Sequence, residues 1–421
     1  MKRFDAGDWY DSPLSRRRLD LSGLQEELET VREIVDDVRR RGDDALREYG
    51  RRFDGWAPSA EEGFEVGPDE LEKAPQKLQP RAREALEFAA ARIQAFHETQ
   101  KPEPVSGKPG LKLITQPVES AGLYVPGGRA AYPSTVLMGA IPARVAGVRH
   151  LAVATPPSAD GGVSSAVLAA ARIAGVDTVY RAGGAQAIAA LAYGTASVKR
   201  TDVIAGPGNV YVMLAKREVY GSVGIDSLAG PTEIMVLADG SARPDYVAAD
   251  LASQLEHDPL AWAVLVTDDA ALASRVEEEL SDLVKGLERR DVIAAAHACA
   301  VVAKDLDQAI EIVNDWAPEH LEIQAADAGA LAARIENAGA VFVGPYATVP
   351  LGDYVAGPNH TLPTAGAARF SSPLGVYSFL KRHSVASLNR GDLEMLKDAC
   401  VALAELEGLT AHVHAVEVRL E

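Results

Sequence analysis

Cysteine is scarce in this chain. Two occur in 421 residues, Cys299 and Cys400, without a CxxC spacing. That excludes a disulfide framework and a thiolate metal site, and both cysteines read as small buried hydrophobes. Aromatic residues make up only 6%, and no stretch approaches the ~18 uninterrupted apolar residues of a membrane helix. The opening MKRFDAGDWYDS has no apolar centre and so does not read as a secretory signal, which makes the cytoplasm the expected location. Positive charge is outnumbered, 42 Lys+Arg against 60 Asp+Glu, for a net charge of −18. That sign argues against nucleic acid or an anionic membrane as the main partner and suits a cationic substrate. Two nucleotide signatures are also missing. No run fits GxGxxG, and the absence of GxxxxGK[ST] excludes a P-loop.

What is present is ordinary globular material, 47% hydrophobic and 24% charged. At ~100–200 residues per domain the length predicts two to four domains. Leu24, Leu28, Val31, Ile34, Val35 and Val38 recur at three- and four-residue steps and predict an amphipathic helix. Gly42-Asp43-Asp44 ends it and caps a second helix carrying Leu46, Tyr49 and Phe53. A third helix is predicted through about 80–98, and Pro102, Pro104 and Pro109 punctuate the segment after it.

From residue 121 the pattern changes to short apolar runs alternating with helical ones. GLYVPGG, LAVATPP, VYRAGG and DVIAGPGN are each followed by a helical segment, a βαβα series that predicts a parallel sheet covered on both faces. Its strands end in Gly127-Gly128, Pro156-Pro157, Gly183-Gly184 and Gly206-Pro207-Gly208. Glycine there lets a backbone approach a ligand, and the N–H groups of the next helix face an anion such as a pyrophosphate. We expect a nucleotide-binding module over roughly 124–232. A second series comes next: EIMVLAD, a helix around 245–257, WAVLVTDD, a helix at 270–288, AVVAKD, a helix at 306–315, and AVFVGPY as another buried strand. From about 371 the chain reads as irregular segments and one helix, LEMLKDACVALAELEG. It closes on AHVHAVEVRL, which alternates with strand period and would need a neighbour to pair with.

Among the nine histidines, company singles out a few. Gln254 and His257 lie three apart at the end of a predicted helix, sharing one face, with Glu256 pointing away. Glu319-His320, held after a helix by Pro318, sets an acid beside a base that titrates near neutrality. Asp353 and His360 occupy LGDYVAGPNHTLPT, a Gly/Pro-rich loop with almost no apolar face, the kind that binds ligands. His412 and His414 form an HxH in which both histidines are candidate ligands if the run is a strand. Gln, His and Asp donors without thiolate suit a borderline ion such as zinc. The bland alternatives, a polar helix face and a loop dipeptide, stand beside these readings.

The same segments resemble the histidinol dehydrogenase family from end to end. The resemblance is carried by VRRRGDDALREYGRRFDG, GLYVPGGRAAYPSTVLM, GGAQAIAALAYGT, IAGPGNVYV, IDSLAGPTEI, SQLEH, NDWAPEHLEI, LGDYVAGPNHTLPT and LTAH, in that order. It implies an α/β fold of two Rossmann-like (aldehyde-dehydrogenase-like) parallel-sheet domains plus small N- and C-terminal dimerisation segments. The implied divisions are an N-terminal arm at 1–20, an NAD-binding domain at 124–232, a catalytic and metal domain at 21–123 with 233–370, and a dimerisation tail at 371–421. It implies oxidation of L-histidinol to L-histidine with NAD and one zinc ion per subunit. The implied zinc ligands are Gln254, His257, Asp353 and His412, the last crossing from a second subunit of a homodimer, with His414 incidental. The implied catalytic pair is Glu319, activating water, and His320 as general base. Substrate contacts would come from Thr232 (where many members have Ser), His320, His360 and Glu407 together with the zinc ligands, and dinucleotide contacts from Tyr124, Gln186 and Asn209.

Three rival readings differ in class. A dehydrogenase of the same fold could act on another small polyol, such as a sulfonated propanediol, but His360, Glu407 and LTAH are all retained. A thiol-dependent aldehyde dehydrogenase needs a reactive cysteine in a cleft, whereas Cys299 and Cys400 lie in apolar patterns. A small-molecule binding protein would not need Glu319-His320.

Overall fold

The computed structural model describes residues 1–15, 19, 21–103, 110–127 and 131–421. Pro104, Pro109 and Gly128, which punctuate the sequence pattern, lie outside the described residues. The chain divides into two compact units: Met1–Lys101 with Val118–Phe379, and Pro102–Pro117 with Leu380–Glu421.

The first unit is built on two parallel sheets. One has five strands, in spatial order Thr178–Arg181, His150–Thr155, Ser120–Tyr124, Val203–Ala205 and Gly224–Ile225. The other has six: Lys2–Asp5, His297–Val302, Trp262–Thr267, Glu233–Ala238, His320–Gln324 and Ala340–Val343. Counted along the chain, both run third, second, first, fourth, fifth, the doubly wound order, with the N-terminal strand added at one edge of the larger sheet. These are two Rossmann-like α/β sheets.

Why these strands form is visible in Glu233–Ala238, in which every residue is buried. Met235 and Leu237 enter the apolar cluster on one face of the sheet, while Ile234, Val236 and Ala238 enter the cluster on the other. A run apolar on both faces suits a strand in the middle of a parallel sheet. Each such side chain contributes about 1.5–3 kcal/mol on burial. The helix Gln25–Arg41 buries the stripe anticipated from its periodicity, with Glu26 and Glu27 in its first turn and Arg39, Arg40 and Arg41 in its last, complementing the helix dipole. It stops at Gly42, whose φ of 58° is open to glycine at little cost. This helix packs on Gly184–Tyr193 and Val210–Val219, and helix Pro80–Glu98 packs on Pro133–Ala146. By packing, both therefore go with the five-stranded sheet, whereas the family resemblance implies a grouping of 21–123 with 233–370.

Several other expectations change. Residues 2–5 form a strand in the six-stranded sheet rather than a free arm. His320–Gln324 is a strand, although His320 and Glu322 interrupt its apolar run and Glu319-His320 reads as a loop dipeptide. Ala340–Val343 is an edge strand with one covered face, leaving Val341 and Val343 exposed rather than buried. The loop at 359–366, expected to bury little, is almost wholly buried, and Asn359 donates to the Met138 carbonyl at 2.6 Å.

In the second unit, Leu111–Pro117 pairs antiparallel with Leu380–Ala386, a strand in a stretch expected to be irregular. Helix Arg390–Leu406 begins at a capping box formed by Asn389 and Asp392. Cys400 lies exposed on it, whereas Cys299 is buried as expected. The closing segment is helix Thr410–Glu417, not a strand. Its alternation also satisfies a helical spacing through Val413 and Val416, and eight residues are too few to separate the two periods. His412 and His414, two apart on a helix, point in nearly opposite directions and cannot share a face as an HxH ligand pair.

Candidate active site

The two sheets present opposite ends to their crevices. In the five-stranded sheet a cavity of about 690 Å³ opens at the carboxyl ends of the strands, lined by Tyr124, Gly127, Pro156, Gln186 and Asn209. This is the topological switch point, between Ser120–Tyr124 and Val203–Ala205, where doubly wound sheets bind ligands. Tyr124 is buried, its hydroxyl accepts the Gly184 N–H at 3.0 Å, and burial pushes its pKa up to about 12. Asn209 caps helix Val210–Val219 by accepting the Val212 N–H. Gln186 donates to Asp54, a lining residue that motif reading passed over. Burial raises the Asp54 carboxyl to about 6, against donors at Gly183 and Gln186. Only its place at the end of RRFDG could have marked it.

The loop Gly206-Pro207-Gly208 is fixed from below. Gly206 has φ of 114° and lies so close to the Tyr124 backbone that a Cβ would collide with it. Its carbonyl accepts from Lys216 Nζ at 3.0 Å and its N–H donates to Asp226 at 2.8 Å, while Lys216 and Asp226 form a buried ion pair. Lys216→Met leaves Asp226 buried and uncompensated. We expect it to cost about 3–5 kcal/mol in urea denaturation, most of it regained in Lys216→Met/Asp226→Leu.

In the six-stranded sheet the candidate chemistry collects at the amino ends of the strands. Thr232 immediately precedes Glu233–Ala238, and His320 opens the neighbouring strand opposite Ile234. Helix Leu306–Trp316 ends at Ala317, buried with φ of 53°, a left-handed turn uncommon for alanine that swings the chain through Pro318 into Glu319. Glu319 and His320 are both buried. Glu319 Oε2 accepts from the Thr232 hydroxyl at 2.7 Å and from the Glu233 N–H at 2.9 Å, leaving Oε1 outside these bonds. Burial raises its pKa.

His320 Nδ1 lies 3.1 Å from the Glu233 carbonyl. A carbonyl only accepts, so Nδ1 carries the proton and Nε2 is the nitrogen that gains and loses one. Nε2 is buried with no hydrogen bond and faces Asp353 Oδ1 at 3.8 Å, while Glu319 lies 3.6 Å from Nδ1. Burial alone would lower the imidazole pKa; the Glu319 and Asp353 carboxylates overcome it and push it up to about 9.

Asp353 sits on the short helix Val349–Tyr354, not in a loop. Burial works against its charge, but His320, His360 and His257 together hold its carboxyl below the ordinary range. His360 donates Nδ1–H to the Asp353 carbonyl at 3.0 Å and is held neutral by burial. His257 lies two residues beyond the end of helix Pro244–Leu255, on the solvent side, yet protein surrounds its ring closely enough for desolvation to lower its pKa. The helix places Gln254 deeper, where its amide nitrogen donates to Thr232 and leaves the carbonyl oxygen as a donor atom for a cation. Thr232 thus links Gln254 to Glu319. Glu407 and His412 lie exposed in the second unit.

Among the described residues no three His, Cys, Asp or Glu side chains form a metal cluster. The donor chemistry nevertheless fits a borderline cation, since a neutral imidazole and an ionised carboxylate are its ordinary ligands and an amide oxygen adds a neutral donor.

A doubly wound sheet with a strand-end cavity, in a chain that also holds a buried imidazole between carboxylates, suits a dehydrogenase. The histidinol dehydrogenase family model matches residues 16–420. Histidinol dehydrogenase of Moorella thermoacetica is 50% identical over 398 residues, covering 93% of this chain and 94% of that one. The enzyme of Heliobacterium mobile is 48% identical over 418 residues, covering 98% and 97%. The crystal structure of histidinol dehydrogenase from Elizabethkingia anophelis superposes with a TM-score of 0.91 at 33% identity, covering 100% of this chain and 98% of that chain. The chain belongs to the histidinol dehydrogenase family, oxidoreductases acting on a CH–OH group.

Proposed function

We propose that this protein oxidises L-histidinol to L-histidine in two successive NAD-dependent steps at a zinc site, with His320 as general base in both steps and Glu319 activating water in the second. The observation that carries this reading is the His320 imidazole, held through Nδ1 by the Glu233 carbonyl so that Nε2 stays unbonded beside Asp353. When bound, zinc would orient and polarise the substrate and NAD would accept hydride. Gln254, His257 and Asp353 would hold the metal, with His412 from a second subunit as the fourth ligand. The apolar side chains Met395, Leu396, Leu403 and Leu406 of helix Arg390–Leu406 support such a homodimer, because all four are exposed and an exposed apolar patch marks a surface that buries against another protein.

His320 Nε2 takes the alcohol proton as the carbon is oxidised. The resulting aldehyde is hydrated with Glu319 Oε1 receiving a proton from water, and His320 takes a proton again as the hydrate is oxidised. Thr232, His360 and Glu407 would hold the substrate, and Tyr124, Gln186 and Asn209 the dinucleotide. His360, neutral and fixed through Nδ1, offers Nε2 to a polar group of the substrate. No helix among the described residues is long and apolar enough to cross a membrane, and the reading includes a cytoplasmic location. With limiting L-histidinol we expect two NADH per substrate, a yield abolished by a chelator and restored by zinc. A yield of one means that oxidation stops at the aldehyde, and turnover of another polyol alone overturns the substrate assignment.

A further inference from the structure

Behind the site, away from the groups assigned to chemistry, two carboxyl groups are buried against each other. Asp250 lies on helix Pro244–Leu255, one turn before Gln254. Glu322, fully buried, lies on strand His320–Gln324, two residues from His320 and therefore on the same face of the sheet. The Glu322 carboxyl lies beside that of Asp250, close enough for each to act on the other's charge. Its Oε1 also accepts the Val349 N–H at 2.9 Å, and the Thr348 hydroxyl donates to Asp250 Oδ1 at 2.7 Å. Thr348 and Val349 begin the helix Val349–Tyr354, and Asp353 comes one turn later.

Each bond of this network ends one helical turn, or one strand repeat, from a residue of the site. The helix of Gln254, the strand of His320 and the helix of Asp353 are three separate elements, and Asp250 and Glu322 join all three. Burying two carboxyls is costly, and an apolar pair of similar volume would serve packing better. Two adjoining carboxylates cannot both be charged here. Burial, with Asp250 alongside, pushes Glu322 up to about 9, so the pair keeps a proton at neutral pH.

We propose that Asp250 and Glu322 are positioning residues, a hydrogen-bonded carboxyl clamp that sets the spacing of Gln254, His320 and Asp353 and so the affinity of the site for its metal. This rests on the zinc site of the proposed function. The test compares Glu322→Gln, Glu322→Leu and Thr348→Val with wild type and Asp353→Asn. Zinc affinity is measured by chelator competition, kcat and KM for L-histidinol by NADH formation, and folding by circular dichroism.

Glutamine has the donor and acceptor of a protonated glutamate, so Glu322→Gln should stay within about threefold of wild type in zinc affinity and kcat. Leucine keeps the volume and removes the bonds, so Glu322→Leu should bind zinc about 10–100-fold more weakly. Should Glu322→Leu fail to fold, Thr348→Val, which deletes one bond at the edge of the network, should still weaken zinc about 2–10-fold. A folded Glu322→Leu, or a Thr348→Val, that holds zinc within twofold of wild type overturns the clamp, and so does a Glu322→Gln that loses as much as Glu322→Leu. If Asp353→Asn loses zinc while the clamp variants keep it, the metal reading stands and the clamp falls. If wild type binds no zinc, both fall.

Discussion

Replacing His320 with asparagine is expected to lower the rates of alcohol oxidation and aldehyde oxidation together, each by about 10²–10⁴-fold, the usual contribution of a positioned general base. The variant is chosen because the asparagine amide nitrogen can stand where Nδ1 stands and still donate to the Glu233 carbonyl. The strand start and the Glu319 contacts are then preserved, and only the proton-accepting Nε2 is lost. The pH dependence has a defined sign. A base must be unprotonated to act, so wild-type rates rise with pH through the titration of His320. In the metal-free chain the Glu319 and Asp353 carboxylates favour the imidazolium and place this titration at about 9. A cation engaged by Asp353 cancels part of that attraction, so the acid limb of the loaded enzyme should lie below 9 and vanish in His320→Asn. Stopped-flow NADH formation, begun separately from L-histidinol and from the aldehyde, reads both steps. A loss confined to one step, or an acid limb that survives the substitution, assigns the base elsewhere.

The parts of this site legible in the sequence were those whose chemistry is local. Glu319-His320 are adjacent, Gln254 and His257 are one turn apart, and strand-end glycines such as Gly206 declare a backbone that must approach something closely. What stayed hidden depended on pairing between distant segments. Strand His320–Gln324 is hidden in the sequence because Glu319, His320 and Glu322 break an apolar run, and buried polar groups are tolerable only once Thr232, Glu233 and Val349 supply donors from elsewhere in the fold. Thr232 itself reads as a lone hydroxyl, and only the fold shows it bridging Gln254 and Glu319. The switch-point rule anticipates the carboxyl-end cavity of the five-stranded sheet, whereas the dyad lies at the amino ends of the other, a placement that no periodicity encodes. At the tail, eight residues satisfied both helical and strand periods, and a wrong choice there turned two helical histidines into a false pair.

Replacing Glu319 with glutamine is expected to separate the two steps that His320→Asn lowers together. Glutamine keeps an oxygen to accept the Thr232 hydroxyl and the Glu233 N–H, but where Glu319 offers Oε1 it offers an amide that cannot take a proton. Alcohol oxidation consumes no water and needs no second base, so it should survive within about tenfold; aldehyde oxidation, which waits on hydration, should fall by about 10²–10⁴-fold. Burial already raises the Glu319 pKa, and so makes its carboxylate a stronger base towards water than an exposed one would be. One secondary effect has a known direction. The Glu319 carboxylate is among the groups that raise His320, so its neutralisation lowers the imidazole pKa and moves the acid limb of alcohol oxidation to lower pH. The two steps are therefore compared on the alkaline plateau, where His320 is unprotonated in both proteins. There the variant should release one NADH rapidly and the second slowly, with free aldehyde captured by a carbonyl trap during the interval. Equal losses in both steps, with no aldehyde trapped, would leave Glu319 as a partner that orients His320 and would assign water activation to another group.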